Sequence, residues 1–314
     1  MDLDTLWKQS LETGKLELCC RGLTCLPELP ALLTELNCVG NALTALPKLP
    51  ESLRILYCRS NQLTSLPSLP SLLDTLDCSN NQLTQLPCFP ATLTHVDCSS
   101  NALTYLAPLP AMVRYLNCYN NQISFLPLFP LSLTILYCGQ NRFAWMPPFP
   151  ASLLELACTN NALSSLPALP GGLTSLICWN NRLTLLPTLP ASLTSLDCEG
   201  NLLRSLPLVP AGIRFLRFQS NPLNVYFAKT AAAVVETNSV PLCVAKIAEY
   251  NKTVAEIRRM WKDVHNVYYA LQQNVYCWLS DDILFRVGSF LSGEGGSLLS
   301  QKRGVLQRLE EYMA

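Results

Sequence analysis

The sequence predicts an α+β chain organised as a solenoid: a parallel sheet of short stacked strands, an N-terminal helical cap and an α-helical C-terminal domain. Three observations predict it. The stretch Leu36-Asn37-Cys38-Val39-Gly40-Asn41-Ala42-Leu43-Thr44-Ala45-Leu46-Pro47 returns every twenty residues in unbroken register. Asn recurs from 41 to 221, Pro from 30 to 210 and Cys from 38 to 198, all in that step. A fixed period of this size marks a repeat architecture, in which each unit buries its apolar side against its neighbours. Inside each repeat, apolar residues alternate over a few positions, which is the period of a strand. After Leu223 the twenty-residue period stops and helical spacing replaces it. The chain therefore divides into a cap over 1–15, a solenoid over 16–223 and a helical region over 224–314.

The elements follow in chain order. Residues 2–14 read as an amphipathic helix, with Leu3, Leu6, Trp7 and Leu11 on one face and Gly14 at its end. Such a helix covers the open edge of the first strand. The first layer is degenerate: Arg21 stands for the recurring Asn, and Leu18 for the Cys. Eleven strands are expected, centred near residues 17, 37, 57 and so on to 217. In each, a Leu36-type and a Cys38-type side chain point inward, and their neighbours point out. The Asn41 column turns the chain away from the strand. Its amide suits the backbone of that turn, and identical residues one layer apart continue the pattern. Leu43 and Leu46 re-enter the core. Pro47 and Pro50 hold the return segment extended, because proline fixes φ and removes a donor. A polyproline-like or 3₁₀ backbone is expected on the convex side. Val96, Ala107, Phe143, Met146 and Phe218 are substitutions within the columns.

The wording L-x-x-L-x-L/C-x-x-N-x-L is that of leucine-rich repeats. Beyond it, an Ala-rich helix over 228–235 is expected. Further helices are expected across 244–273, over 282–291 after Ser280-Asp281, and over 298–312.

Composition narrows the function. Lys plus Arg and Asp plus Glu number 22 each over 314 residues, so the formal charge is zero. Binding to nucleic acid or to a membrane surface calls for a basic excess, and neither is expected. No apolar run is long enough to span a bilayer. Met1-Asp2-Leu3-Asp4 lacks the basic and apolar regions of a secretory signal. Nine of the fifteen cysteines, Cys38 to Cys198, fall in one inward column. Neighbouring side chains there run parallel about 4.8 Å apart, whereas a disulfide needs converging Cβ atoms at about 3.5–4.5 Å. Reduced thiols acting as small apolar side chains are expected, in a reducing compartment.

Catalytic signals are sparse. The two histidines, His95 and His265, sit in no motif, and no phosphate loop, nucleophile elbow or metalloprotease helix occurs. No C-x-x-C pair or Cys/His cluster has zinc spacing. No catalytic residue, metal or cofactor is expected.

The outward strand columns carry the binding candidates. They vary freely while the core columns hardly change. They place Tyr57, Arg59, His95, Tyr115, Tyr119, Ile135, Tyr137, Ile177 and Trp179 on the concave face. Aromatic and apolar side chains on a rigid exposed surface favour protein recognition. The alternative is ordinary cross-strand stacking, about 0.2–1 kcal/mol per pair. Asp77 and Asp97 form an acidic step beside them. Tyr105, Phe125 and Trp145 form a second aromatic row, one per layer, along a rim.

The extended wording L-x-x-L-x-C-x-x-N-x-L-T-x-L-P-x-L-P resembles the short repeats of secreted bacterial leucine-rich-repeat effectors. That family includes Yersinia-type scaffolds and Shigella/Salmonella-type ubiquitin ligases. The resemblance covers residues 16–223. It implies a virulence protein that a dedicated secretion system delivers into the host cytosol, where it binds a host protein. Ligase members carry a Cys-x-Asp site in a large helical domain. Here Cys277 is followed by Trp278-Leu279, so that activity is not implied.

A further stretch, Leu279 to Leu291, resembles the opening of an F-box, with Leu279, Ile283, Leu284, Val287, Phe290 and Leu291 in the docking positions. It implies contact with the adaptor Skp1 and a role in the ubiquitin pathway. Ser280 stands where that family has Pro. Three readings result: a non-enzymatic interaction scaffold, an F-box-like ligase adaptor, and an enzyme with an unrecognised helical domain.

Overall fold

The structure, a computed structural model, describes residues 3–222. The expected helical domain over 224–314 and the F-box-like stretch over 279–291 lie outside the described residues. One helix, α1 (Leu3–Thr13), is followed by eleven three-residue strands from β1 (Lys15–Glu17) to β11 (Phe215–Arg217). All eleven form one parallel sheet in sequence order. Each residue pairs with its equivalent twenty positions on, as Tyr115 does with Ile135. At about 4.8 Å per strand the stack is about 48 Å long.

The strands are centred one residue earlier than the periodicity alone suggests, on Leu16, Leu36, Leu56 and their equivalents. The Cys column nonetheless continues the ladder. The Cys38 N–H donates to the Tyr57 carbonyl at 2.9 Å, one layer on. Leu53, Leu56, Cys58 and Leu63 are all fully buried, and the same four columns are closed in every central layer. Each fully buried leucine contributes about 1.5–3 kcal/mol.

The asparagines act across layers. Asn121 Oδ1 accepts from the Leu103 N–H at 3.0 Å. Its Nδ2 donates to the carbonyls of Cys98 at 3.0 Å and Cys118 at 3.1 Å. Asn41 to Asn221 repeat the arrangement, so these side chains bond the backbones of two layers and not one another. The residue before each of them, from Ser60 to Asn180, has a left-handed backbone with φ near +50 to +57°. That conformation favours the Asn and Gly that recur there.

The return segments are extended. Each return segment closes with a turn held by bonds such as Leu53 N–H to Pro50 carbonyl at 3.1 Å, and no 3₁₀ helix occurs among the described residues. A hydroxyl staples many turns to the layer before: Ser52 Oγ donates to the carbonyls of Ala31 and Leu33 at 2.9 and 2.7 Å. Thr92, Ser132 and Ser192 repeat this contact. Among the described residues no helix is long and apolar enough to cross a membrane.

The cap differs in one detail. Leu11, expected on the apolar face, is 65% exposed, and Ser10 is buried in its place. Position 10 is i+4 from Leu6 and i+3 from Trp7, which are both partly buried, and Ser10 satisfies its hydroxyl on the Trp7 carbonyl at 2.7 Å. The helix ends at Gly14, whose carbonyl receives the Thr34 N–H at 2.7 Å. The cap is thus bonded directly into the second layer.

Candidate protein-binding face

The outward strand columns build a continuous face, because alternate residues of a strand point to opposite sides of its sheet. At its centre three rings from adjacent layers meet. His95 stacks on Tyr115 with centroids 6.1 Å apart, and Tyr115 meets Tyr137 edge-on at 5.9 Å. Edge-on contacts suit the charge distribution of aromatic rings. Tyr115 and Tyr137 are half-buried and His95 is exposed.

Polar partners hold the two ends of this row. The Tyr137 hydroxyl donates to the Glu155 carboxylate at 2.7 Å. Burial, and then Glu155, push the Tyr137 phenol up to about 12. The Tyr115 phenol is also raised, chiefly by burial and then by the Asp97 charge. His95 Nδ1 lies 2.7 Å from Thr94 Oγ1, which is 2.8 Å from the Asp74 carboxylate. Asp97 accepts from Ser99 Oγ at 2.6 Å and from Asn117 Nδ2 at 2.9 Å. Asp77 accepts from Ser79 Oγ at 2.6 Å. The acidic step is therefore hydrogen-bonded within and beside its own layers.

The remaining candidates are dispersed. Ile135 sits in register between Tyr115 and Glu155. Tyr119 lies towards the turn edge, against Gly139, and among the described residues shares no ring contact with Tyr115 or Tyr137. A Cβ at Gly139 would meet the Tyr119 ring at 3.1 Å and collide with the Thr159 hydroxyl. Tyr57 and Arg59 lie two strands before the His95 strand. Ile177 and Trp179 lie two strands after the Tyr137 strand. Each pair is about 10 Å from the central rings. Phe125 and Trp145 of the second aromatic row meet at 6.3 Å on the return side of the molecule.

Glu155, Asp74 and Thr94 were not among the sequence candidates. Glu155 is diagonal to Tyr137, 18 positions on, one layer on and two residues back, whereas Thr94 is the chain neighbour of His95 and Asp74 stands in line with Thr94 one layer before. A twenty-residue period combined with diagonal reach across strands points to such pairs. Among the described residues no three His, Cys, Asp or Glu side chains form a metal-holding group.

The comparisons agree with this architecture. A family model described as Leucine Rich repeats (2 copies) matches residues 51–91. YopM from Yersinia enterocolitica WA-314 is 37% identical, with a TM-score of 0.67 over 67% of this chain and 47% of its own. YopM from Yersinia pestis, a leucine-rich effector protein, is also 37% identical, with a TM-score of 0.67 over 69% of this chain and 64% of its own. The chain thus spans less than two thirds of either YopM chain. The functional domain of InlJ from Listeria monocytogenes, which includes a cysteine ladder, is similar in fold alone. It is 24% identical, with a TM-score of 0.56 over 67% of this chain and 54% of its own. No curated protein matches the sequence. The chain is a leucine-rich-repeat solenoid whose repeats resemble those of bacterial leucine-rich-repeat effectors.

Proposed function

We propose that the chain is a non-enzymatic scaffold that binds a host protein on the outward face of its sheet, as an effector delivered by a bacterial secretion system. The row His95, Tyr115 and Tyr137 carries this reading. Its rings are half-exposed, yet Thr94 and Glu155 hold both ends in place. Rings ordered before binding lose little freedom on association, and aromatic anchors dominate protein interfaces. Tyr119 and Ile135 within the same layers, Tyr57 and Arg59 on one side and Ile177 and Trp179 on the other extend the footprint. Residues 224–314 form a separate module in this reading.

The test is capture from eukaryotic lysate by the full chain and by a Tyr115→Ala/Tyr137→Ala variant. A protein retained by wild type should bind the variant more weakly by about 2 kcal/mol or more. The variant should still melt cooperatively, since the half-buried rings contribute only about 1 kcal/mol each to folding. Retention of the same protein at unchanged affinity would overturn the assignment.

A further inference from the structure

The return side of the solenoid has a property that the outward sheet face lacks. The seven return segments 63–73, 83–93, 103–113, 123–133, 143–153, 163–173 and 183–193 contain no Asp, Glu, Lys or Arg. The charged residues nearest in sequence, such as Arg114 and Arg142, flank these segments on the strand side. Across six layer spacings of about 4.8 Å, and about eight extended residues wide, the charge-free area is roughly 700 Å². One partner in a standard interface contributes about 800 Å².

Its centre is apolar and open. Phe125 is 63% exposed, Leu128 79% and Leu131 86%, with Tyr105 and Trp145 half-exposed in the adjacent layers. The columns are unequal in a useful way. Large rings occupy the 105, 125 and 145 positions. Six residues further along each segment stand Ala111, Leu131 and Ala151. Leu128 lies midway between the two columns in the middle layer.

We propose that this face pairs with a second copy of the chain about a two-fold axis through Leu128. Such an axis reverses both the layer order and the segment direction. It sets Trp145 of one copy over Ala111 of the other, Tyr105 over Ala151 and Phe125 over Leu131. Rings thus meet small or aliphatic side chains, and the layer spacing matches because both surfaces are the same lattice. Self-complementarity of one patch is what a two-fold interface requires. The charge-free face offers no ion pair to a charged partner, and the like-charge approach that the axis creates, Arg142 over Arg114, falls at its edge. A membrane fits less well, because the extended segments carry backbone groups that hydrocarbon would leave unbonded.

Sedimentation of the full chain across a concentration series tests this. Wild type should dimerise reversibly. Phe125→Glu, which charges the ring column, and Ala111→Arg, which blocks the seat of Trp145, should each weaken association at least tenfold. Both sites are exposed, and thermal melting checks that each variant folds. Ser175→Arg, a charge added on the opposite side of the sheet, should leave association unchanged. A monomeric wild type, or dimers that survive either interface substitution, would overturn the pairing. So would a monomer that instead floats with neutral phosphatidylcholine vesicles.

Discussion

The Tyr137 hydroxyl donates to the Glu155 carboxylate at 2.7 Å across one layer of the sheet. The bond ties an aromatic ring of the outward face to the neighbouring strand. It also links the ring to pH. The folded phenol is pushed up to about 12, from an ordinary value of 10.0. The neutral form is therefore favoured by folding. Its contribution is complete below pH 10 and is lost as pH rises towards 12. Phenolate absorbance titrations of wild type and Tyr137→Phe should differ by one group that stays protonated past pH 10 for as long as the fold persists. Glu155→Gln should lower its pKa only in part, since burial is the larger cause. A difference group titrating near 10 would show that the ring is not held.

Asn121 should be worth more than its size suggests. Asn121→Ala removes one acceptor and two close donors from backbone groups of two layers. Leaving such groups unpaired should cost about 1–3 kcal/mol. Asn121→Asp should be at least as harmful, because a carboxylate accepts but does not donate, and it would face the Cys98 and Cys118 carbonyls. Denaturant midpoints measure both. Wild-type stability in either variant would mean that water takes the place of the amide.

The nine buried thiols make the solenoid alkali-sensitive. Burial pushes Cys38, Cys118, Cys158 and Cys198 up to about 12, and Cys58, Cys78, Cys98, Cys138 and Cys178 well above the ordinary 9.0. The unfolded chain ionises them near 9, so unfolding releases protons above that pH. Melting temperature should therefore stay level to about pH 8 and fall steeply beyond 9. At neutral pH a thiol reagent should reach exposed Cys19, Cys20, Cys25 and Cys88 in the native protein, and the buried nine only after denaturant. Rapid modification of all fifteen in the native protein would contradict the burial.

The twenty-residue period was enough to specify the parallel order of the strands, their register and the composition of the core. A repeat of constant length allows only one stacking in which Leu36, Cys38, Leu43 and Leu46 all meet their own kind. The inward burial of the Cys column and the extended return segments follow from the same arithmetic and from Pro47 and Pro50. Other features depend on contacts between layers. That Asn121 bonds two layers rather than the next Asn was decided by the left-handed turn beside it, which points the amide into the backbone. Ser10 displaced Leu11 from the cap because the helix end is fixed by the Gly14 bond to Thr34. Tyr137 found Glu155, and Tyr115 found His95, through diagonal and in-line reach on the sheet. The linear sequence records which side chains face outward. Which of them touch is set by the stacking distance and the lengths of the side chains, and those meet only in three dimensions.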